Sequence, residues 1–209
     1  MSDMARQELA RVLAGPVVDA APQLLGCLIS HGDTSIRITE VEAYSGRGLD
    51  PASHAHRGPT ARNASQFGPP AHAYVYFTYG MHYCLNIVCE PAGIGGGVLL
   101  RAGEVVAGID SARDRRPGAR DRDLARGPAR LTRALDVDRR LDGSPLLDSG
   151  ALQLSPRTGP VGPIDSGPRT GVSSAAEIPW RFWIADDPTV SPYRRHVPRN
   201  RTRGQSTRR

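Results

Sequence analysis

The chain has no lysine. All 27 of its basic residues are arginine, so no lysine amine is available for covalent catalysis through a Schiff base. Aromatics make up only 5% of the 209 residues and hydrophobic residues 39%, which predicts one folded core with polar ends rather than two comfortable domains. No apolar run approaches the length of a membrane span. The segment after Met1 has helical periodicity rather than an apolar signal region, so a cytoplasmic protein is expected. The three cysteines, Cys27, Cys84 and Cys89, show no C-x-x-C spacing and read as small core residues in a reducing compartment, not as a disulfide frame.

What is present is positive charge. A formal net charge of +6 favours an anionic partner, and arginine can neutralise phosphate, fork onto acceptors and stack on bases.

Periodicity predicts a short helix over Met4–Leu13 and a second over Asp19–Gly26, opened by an Asp cap and closed by glycine. Cys27–Ser30 and Thr34–Tyr44 read as strands turning through His31-Gly32-Asp33, and residues 46–70 as a long loop. Ala73–Tyr79, Met81–Cys89 and Val98–Ala102 read as further strands, and Trp180–Ile184 as a late one. The alternating Arg and Asp of Ser111–Leu124 predict a solvated loop, and Gly127-Pro128 opens a helix. From Tyr193 onward the arginines stand among polar residues, so residues 1–192 are expected to fold and 193–209 to form a basic, disordered tail. The fold class is α+β: one compact domain on a curved, largely antiparallel sheet with peripheral helices.

Two patches could carry chemistry. In Ile36–Tyr44 a period of two places Ile36, Ile38, Glu40, Glu42 and Tyr44 on one face. Two carboxylates in line with isoleucines are either a strand end emerging into solvent or an acid–base pair, and spacing does not say which glutamate matters. Tyr74, Tyr76, Tyr79 and Tyr83 gather four of the six tyrosines, fit either for core packing or for stacking on nucleobases. His54, His56, His72 and His82 match no metal-ligand spacing, and Gly93–Gly97 lacks the Lys-Ser/Thr of a phosphate loop. No metal or cofactor is expected.

Taken together, Glu40-Val-Glu42-Ala-Tyr44, Asp50-Pro-Ala-Ser-His54, Arg62-Asn63, Tyr74-Val-Tyr76, Tyr79-Gly80-Met81 with Asn86, Leu99-Leu-Arg101-Ala102, Gly127-Pro-Ala-Arg-Leu131 and Pro179-Trp-Arg-Phe182 resemble the alkyladenine (3-methyladenine) DNA glycosylase family. The resemblance runs from about Leu9 to Ser191. It implies a monomeric, monofunctional enzyme that flips damaged purines out of duplex DNA and hydrolyses the N-glycosidic bond, associated with the nucleoid through DNA binding. Carried over, Glu42 would activate water and Arg101 help hold it. Tyr44, His54 and Tyr76 would wall the flipped base, Asn86 would exclude guanine, and Tyr79 with Met81 would enter the base stack. A backbone carbonyl within Thr170-Gly171-Val172 would touch the water. Gln66 and His82 depart from the family pattern and are expected near the DNA-contact surface. The competing readings are a non-catalytic nucleic-acid-binding module of the same fold and an acyltransferase on a related sheet, for which no cofactor block is visible.

Overall fold

The computed structural model describes residues 3–78, 80–148 and 150–197. Apolar residues at helical spacing form α1 (Asp3–Leu13), with Asp3 in its first turn and Arg11 in its last, each of the sign that the helix dipole favours. α2 (Val17–Gln23) starts three residues earlier than the Asp cap implied, because Pro16 takes the cap position and places Asp19 inside the first turn.

The strands follow: β1 (Leu28–His31), β2 (Thr34–Tyr44), β3 (Ala73–Thr78), β4 (His82–Cys89) and β5 (Gly96–Ala107). After α3 (Ile109–Arg115) come β6 (Ala125–Arg126), α4 (Pro128–Ala134), β7 (Leu152–Ser155), β8 (Ile164–Gly167) and β9 (Arg181–Ile184). Every pairing among these strands is antiparallel, in the order β3-β4-β5-β2-β1-β7. β9 pairs with the part of β2 beyond the end of β1, and β8 with β9. The result is an α+β domain on one curled antiparallel sheet. No helix among the described residues is long and apolar enough to cross a membrane.

Leu9, Leu13, Val17 and Leu131 from the helices bury with Ile36, Ile38, Val41, Val75, Leu85 and Leu100 of the sheet. Each such side chain contributes roughly 1.5–3 kcal/mol on burial. That leaves the sheet's other face free to carry a site.

Two sequence expectations need correction. The run Ser111–Leu124 is not a loose loop. It continues α3 and enters a 3-10 turn, Asp121–Asp123, anchored by fully buried Ala112 and Leu124. Arg113 bridges Asp110 and Asp121, while Arg115 donates to the Ala134 carbonyl. One apolar residue at each end is too weak a periodic signal to stand out among so many charges.

The second correction concerns β2. Ile36 and Ile38 do not share a face with Glu40, Glu42 and Tyr44. Ile38 lies opposite Gly103 and Val41 opposite Leu100, so both strands spend an extra residue between these pairs, and the ladder is irregular at Glu40. Such bulges shift every later side chain to the other face. Val41 and Ala43 thereby continue the core that Ile36 and Ile38 begin, and the two glutamates turn to the opposite side.

Candidate active site

The bulges create a row of side chains across the sheet. Tyr74 stands opposite Asn86, Asn86 opposite Leu99, Leu99 opposite Glu42, and Glu42 opposite Arg181. Tyr76, opposite Cys84, lies one step further along the same face. Above this row sits a cavity of about 340 Å³, walled by Glu42, Tyr44, His54, Tyr74, Tyr76, Asn86 and Arg101 and closed by Thr170–Ser174 from the segment after β8. The long loop of residues 46–70 supplies His54 and Gln66 to the opposite wall. The structure thus brings together all six residues singled out for catalysis and for the base pocket.

Both glutamates are buried, but their surroundings differ. Glu40 Oε1 accepts from Arg181 Nε at 2.6 Å, and Oε2 accepts from the Ser191 amide at 2.7 Å. Arg101 Nε lies 2.9 Å from Glu40 Oε1 as a charge contact, without the alignment of a hydrogen bond. Glu40 does not reach the cavity, whereas Glu42 does. Glu42 Oε1 accepts from the Thr170 amide at 2.6 Å, Oε2 accepts from the Tyr44 hydroxyl at 2.9 Å, and Arg101 Nη1 approaches Oε2 at 3.5 Å. Each carboxylate oxygen has more than one lone-pair site, so Glu42 keeps capacity facing the cavity. Burial would lower the Arg101 pKa, but the charges of Glu42 and Glu40 outweigh it and push the value up, so Arg101 stays a cation.

The aromatic walls are neutral. Burial raises Tyr44, Tyr74 and Tyr76 above the usual phenol range. His54 sits at the cavity mouth with part of its residue open to solvent; desolvation of its inner side, aided by the Arg62 charge, pushes its pKa down. Its Nδ1 is hydrogen-bonded to the Tyr74 hydroxyl at 2.9 Å, and its ring meets Tyr76 edge-on at 4.6 Å.

Sequence reasoning missed two arginines. Arg169 is buried, forks onto Asp50 and donates to the Ala43 carbonyl, with its guanidinium 4.7 Å from the centre of the Tyr44 ring. It ties the loop carrying His54 to the strand carrying Glu42. Arg181 holds Glu40 from β9. Both could have been sought as counter-charges, since two carboxylates inside a core require cations. A third partner, the Thr170 amide, donates to Glu42; this is the contact recorded in the segment from which a carbonyl was expected.

Gln66 and His82 differ in burial. Gln66 is 3% exposed at the cavity wall, whereas His82 is exposed. Tyr79 lies outside the described residues. Of the residues that follow it before β4, Gly80 has φ +69°, a conformation glycine adopts at no cost, and Met81 is 67% exposed. The histidines are scattered: His31 meets the Leu135 carbonyl, His54 Tyr74 and His72 the Pro70 carbonyl.

Comparison with known proteins bears on this site directly. The methylpurine-DNA glycosylase family model matches residues 11–188. The chain belongs to the methylpurine-DNA glycosylase family. It is therefore a hydrolase acting on N-glycosyl bonds, with DNA as its substrate and DNA repair as its setting. Similar proteins named "Putative 3-methyladenine DNA glycosylase" include one from Streptomyces avermitilis, 56% identical over 198 residues, covering 90% of this chain and 92% of the relative. Another from Leifsonia xyli is 51% identical, covering 86% and 89%, and one from Frankia casuarinae is 51% identical, covering 84% and 88%. The matched residues of this methylpurine-DNA glycosylase relative contain every wall of the cavity.

Proposed function

We propose that this enzyme flips alkylated or deaminated purines, of the 3-methyladenine, ethenoadenine and hypoxanthine type, out of duplex DNA and hydrolyses the glycosidic bond with water activated by Glu42. The observation that carries the reading is a carboxylate held at two points, by the Thr170 amide and the Tyr44 hydroxyl, in the wall of a cavity lined by aromatic rings.

A glycosidic bond inside a duplex is out of reach, so the nucleotide must rotate out, at a few kcal/mol of lost stacking. Tyr79 enters the gap and offsets part of that loss, and Met81, two residues on in the sequence, is exposed. The base slides between Tyr44 and the His54–Tyr76 pair. A purine nucleotide alkylated at N3 or N7 is cationic, which strengthens its stacking on neutral rings and makes its base a better leaving group. Glu42 takes a proton from water as the water attacks the anomeric carbon and the C–N electron pair leaves with the base. A positioned carboxylate of this kind is worth on the order of 10²–10⁴ in rate. Arg101, kept cationic by both glutamates, orients the water. Asn86, whose Nδ2 donates to the Tyr74 carbonyl, is fixed against the base edge and crowds the exocyclic amine of guanine.

Incubating the protein with duplexes carrying hypoxanthine, ethenoadenine or 3-methyladenine tests this reading. Free base should appear in solution. Tight lesion binding without release would favour a non-catalytic module instead.

A further inference from the structure

The β3–β4 hairpin is a partition between two spaces. Side chains alternate along a strand, and here the alternation sends them to opposite sides. Tyr74, Tyr76 and Thr78 of β3, with Cys84 and Asn86 of β4, line the base cavity. Phe77 and Tyr83 face the other way, into a second cleft of about 600 Å³ completed by Arg62, Gly80 and Arg139.

That cleft has two guanidiniums in its walls and no carboxylate. Arg62 donates from Nη2 to the Phe77 carbonyl at 2.8 Å, and no ion pair engages it among the described residues. Arg139 donates from Nη1 to the Val75 carbonyl at 2.8 Å, and its Nη2 lies 3.4 Å from Asp142 Oδ2. Asp142 stands outside the cleft at the β3 edge, where its Oδ1 accepts from the Val75 amide and the Ser65 hydroxyl. A guanidinium carries five donors, so both arginines keep N–H groups beyond these contacts. Phe77, 43% exposed, packs on Tyr83 with ring centres 5.0 Å apart. An open apolar ring beside two cations suits a sugar–phosphate chain, phosphate on arginine and deoxyribose on the ring.

Position identifies which chain. A nucleotide flipped into the base cavity brings its own strand to the Tyr74–Tyr76 side of the hairpin. Tyr79, in the sequence joining β3 to β4, is the residue assigned to the gap it leaves. A wedge entering a duplex has one strand on each side, so the complementary strand takes the Phe77–Tyr83 side.

We infer that Arg62, Phe77, Tyr83 and Arg139 form a binding subsite for the sugar–phosphate backbone of the strand opposite the lesion. This rests on the function proposed above. Arg62 also lines the space beside His54, so Arg139, which belongs to the cleft alone, is the residue to test.

Binding of a hypoxanthine duplex, and of the same lesion in single-stranded DNA, is measured against salt for the full-length protein and for Arg139→Gln, which keeps a donor for the Val75 carbonyl. On the duplex the variant should bind several-fold more weakly, and the slope of log K against log salt should fall by about one. On the single strand both values should match those of the unaltered protein. Equal loss on the two substrates, or none on either, overturns the inference. A second measurement needs no variant: neutral methylphosphonate linkages placed opposite the lesion should weaken duplex binding by the unaltered protein, and undiminished binding contradicts the inference. Hypoxanthine release by the unaltered protein on the same duplex separates the two claims. Release without these strand effects leaves the proposed function standing, whereas no release removes that function and the strand assignment built on it.

Discussion

Glu40 and Glu42, two residues apart on one strand, share a single guanidinium: Arg101 brings Nε to 2.9 Å from Glu40 Oε1 and Nη1 to 3.5 Å from Glu42 Oε2. The sharing divides their work. Glu40 is closed off by Arg181 and the Ser191 amide and holds Arg101 in place, while Glu42 faces the cavity.

Glu40→Gln is therefore expected to act first on stability. Breaking a buried ion cluster on one side costs about 3–5 kcal/mol, which in a protein of this size lowers the melting temperature by roughly 6–20 °C. Excision should slow through a less well-held Arg101 yet remain measurable. Thermal unfolding within a degree of the unaltered protein would show that Glu40 is not a structural clamp.

Asp50 and Arg169 form the second buried pair, and breaking it should be felt in the same way. Asp50→Asn leaves the Arg169 charge unpaired beneath Tyr44, at a similar cost in denaturant unfolding. Removing both charges, as in Asp50→Asn with Arg169→Met, should recover part of that loss. A double variant less stable than Asp50→Asn alone would mean that the arginine contributes through packing on Tyr44 and Trp180 more than through its charge.

Tyr79→Ala removes the side chain assigned to the vacated stack. Excision from a paired site should slow markedly, whereas a lesion in single-stranded DNA, which leaves no gap to fill, should be affected less. Equal slowing on both substrates would assign Tyr79 to the fold.

The absence of lysine bears on strand cleavage. A glycosylase that also nicks DNA attacks the sugar with an amine, and arginine is too basic to serve. The product should be an intact strand carrying an abasic site, broken only after alkali. Borohydride should trap no protein–DNA adduct; efficient trapping would implicate an α-amine.

Much of this was legible before the structure. Strand alternation was clear for β3, so Tyr74 and Tyr76 could be placed on one face, and the residue order carried the family resemblance. The face of Glu40 and Glu42 was not legible, because a bulge is one unpaired residue with no side-chain signature of its own, and here it requires a matching irregularity more than 60 positions away in β5. Arg169 and Arg181 were hidden for a related reason. In a chain with 27 basic residues nothing local distinguishes a buried counter-charge from a solvated arginine.

The central claim is that Glu42, not Glu40, activates the water. Single-turnover excision of hypoxanthine by Glu42→Gln measures it most directly. Gln preserves the bond from the Thr170 amide and the side chain's size but cannot take the proton, so release should fall by two or more orders of magnitude while binding to the lesion duplex persists. Excision at the rate of the unaltered protein by Glu42→Gln, with folded Glu40→Gln inert, would contradict the account.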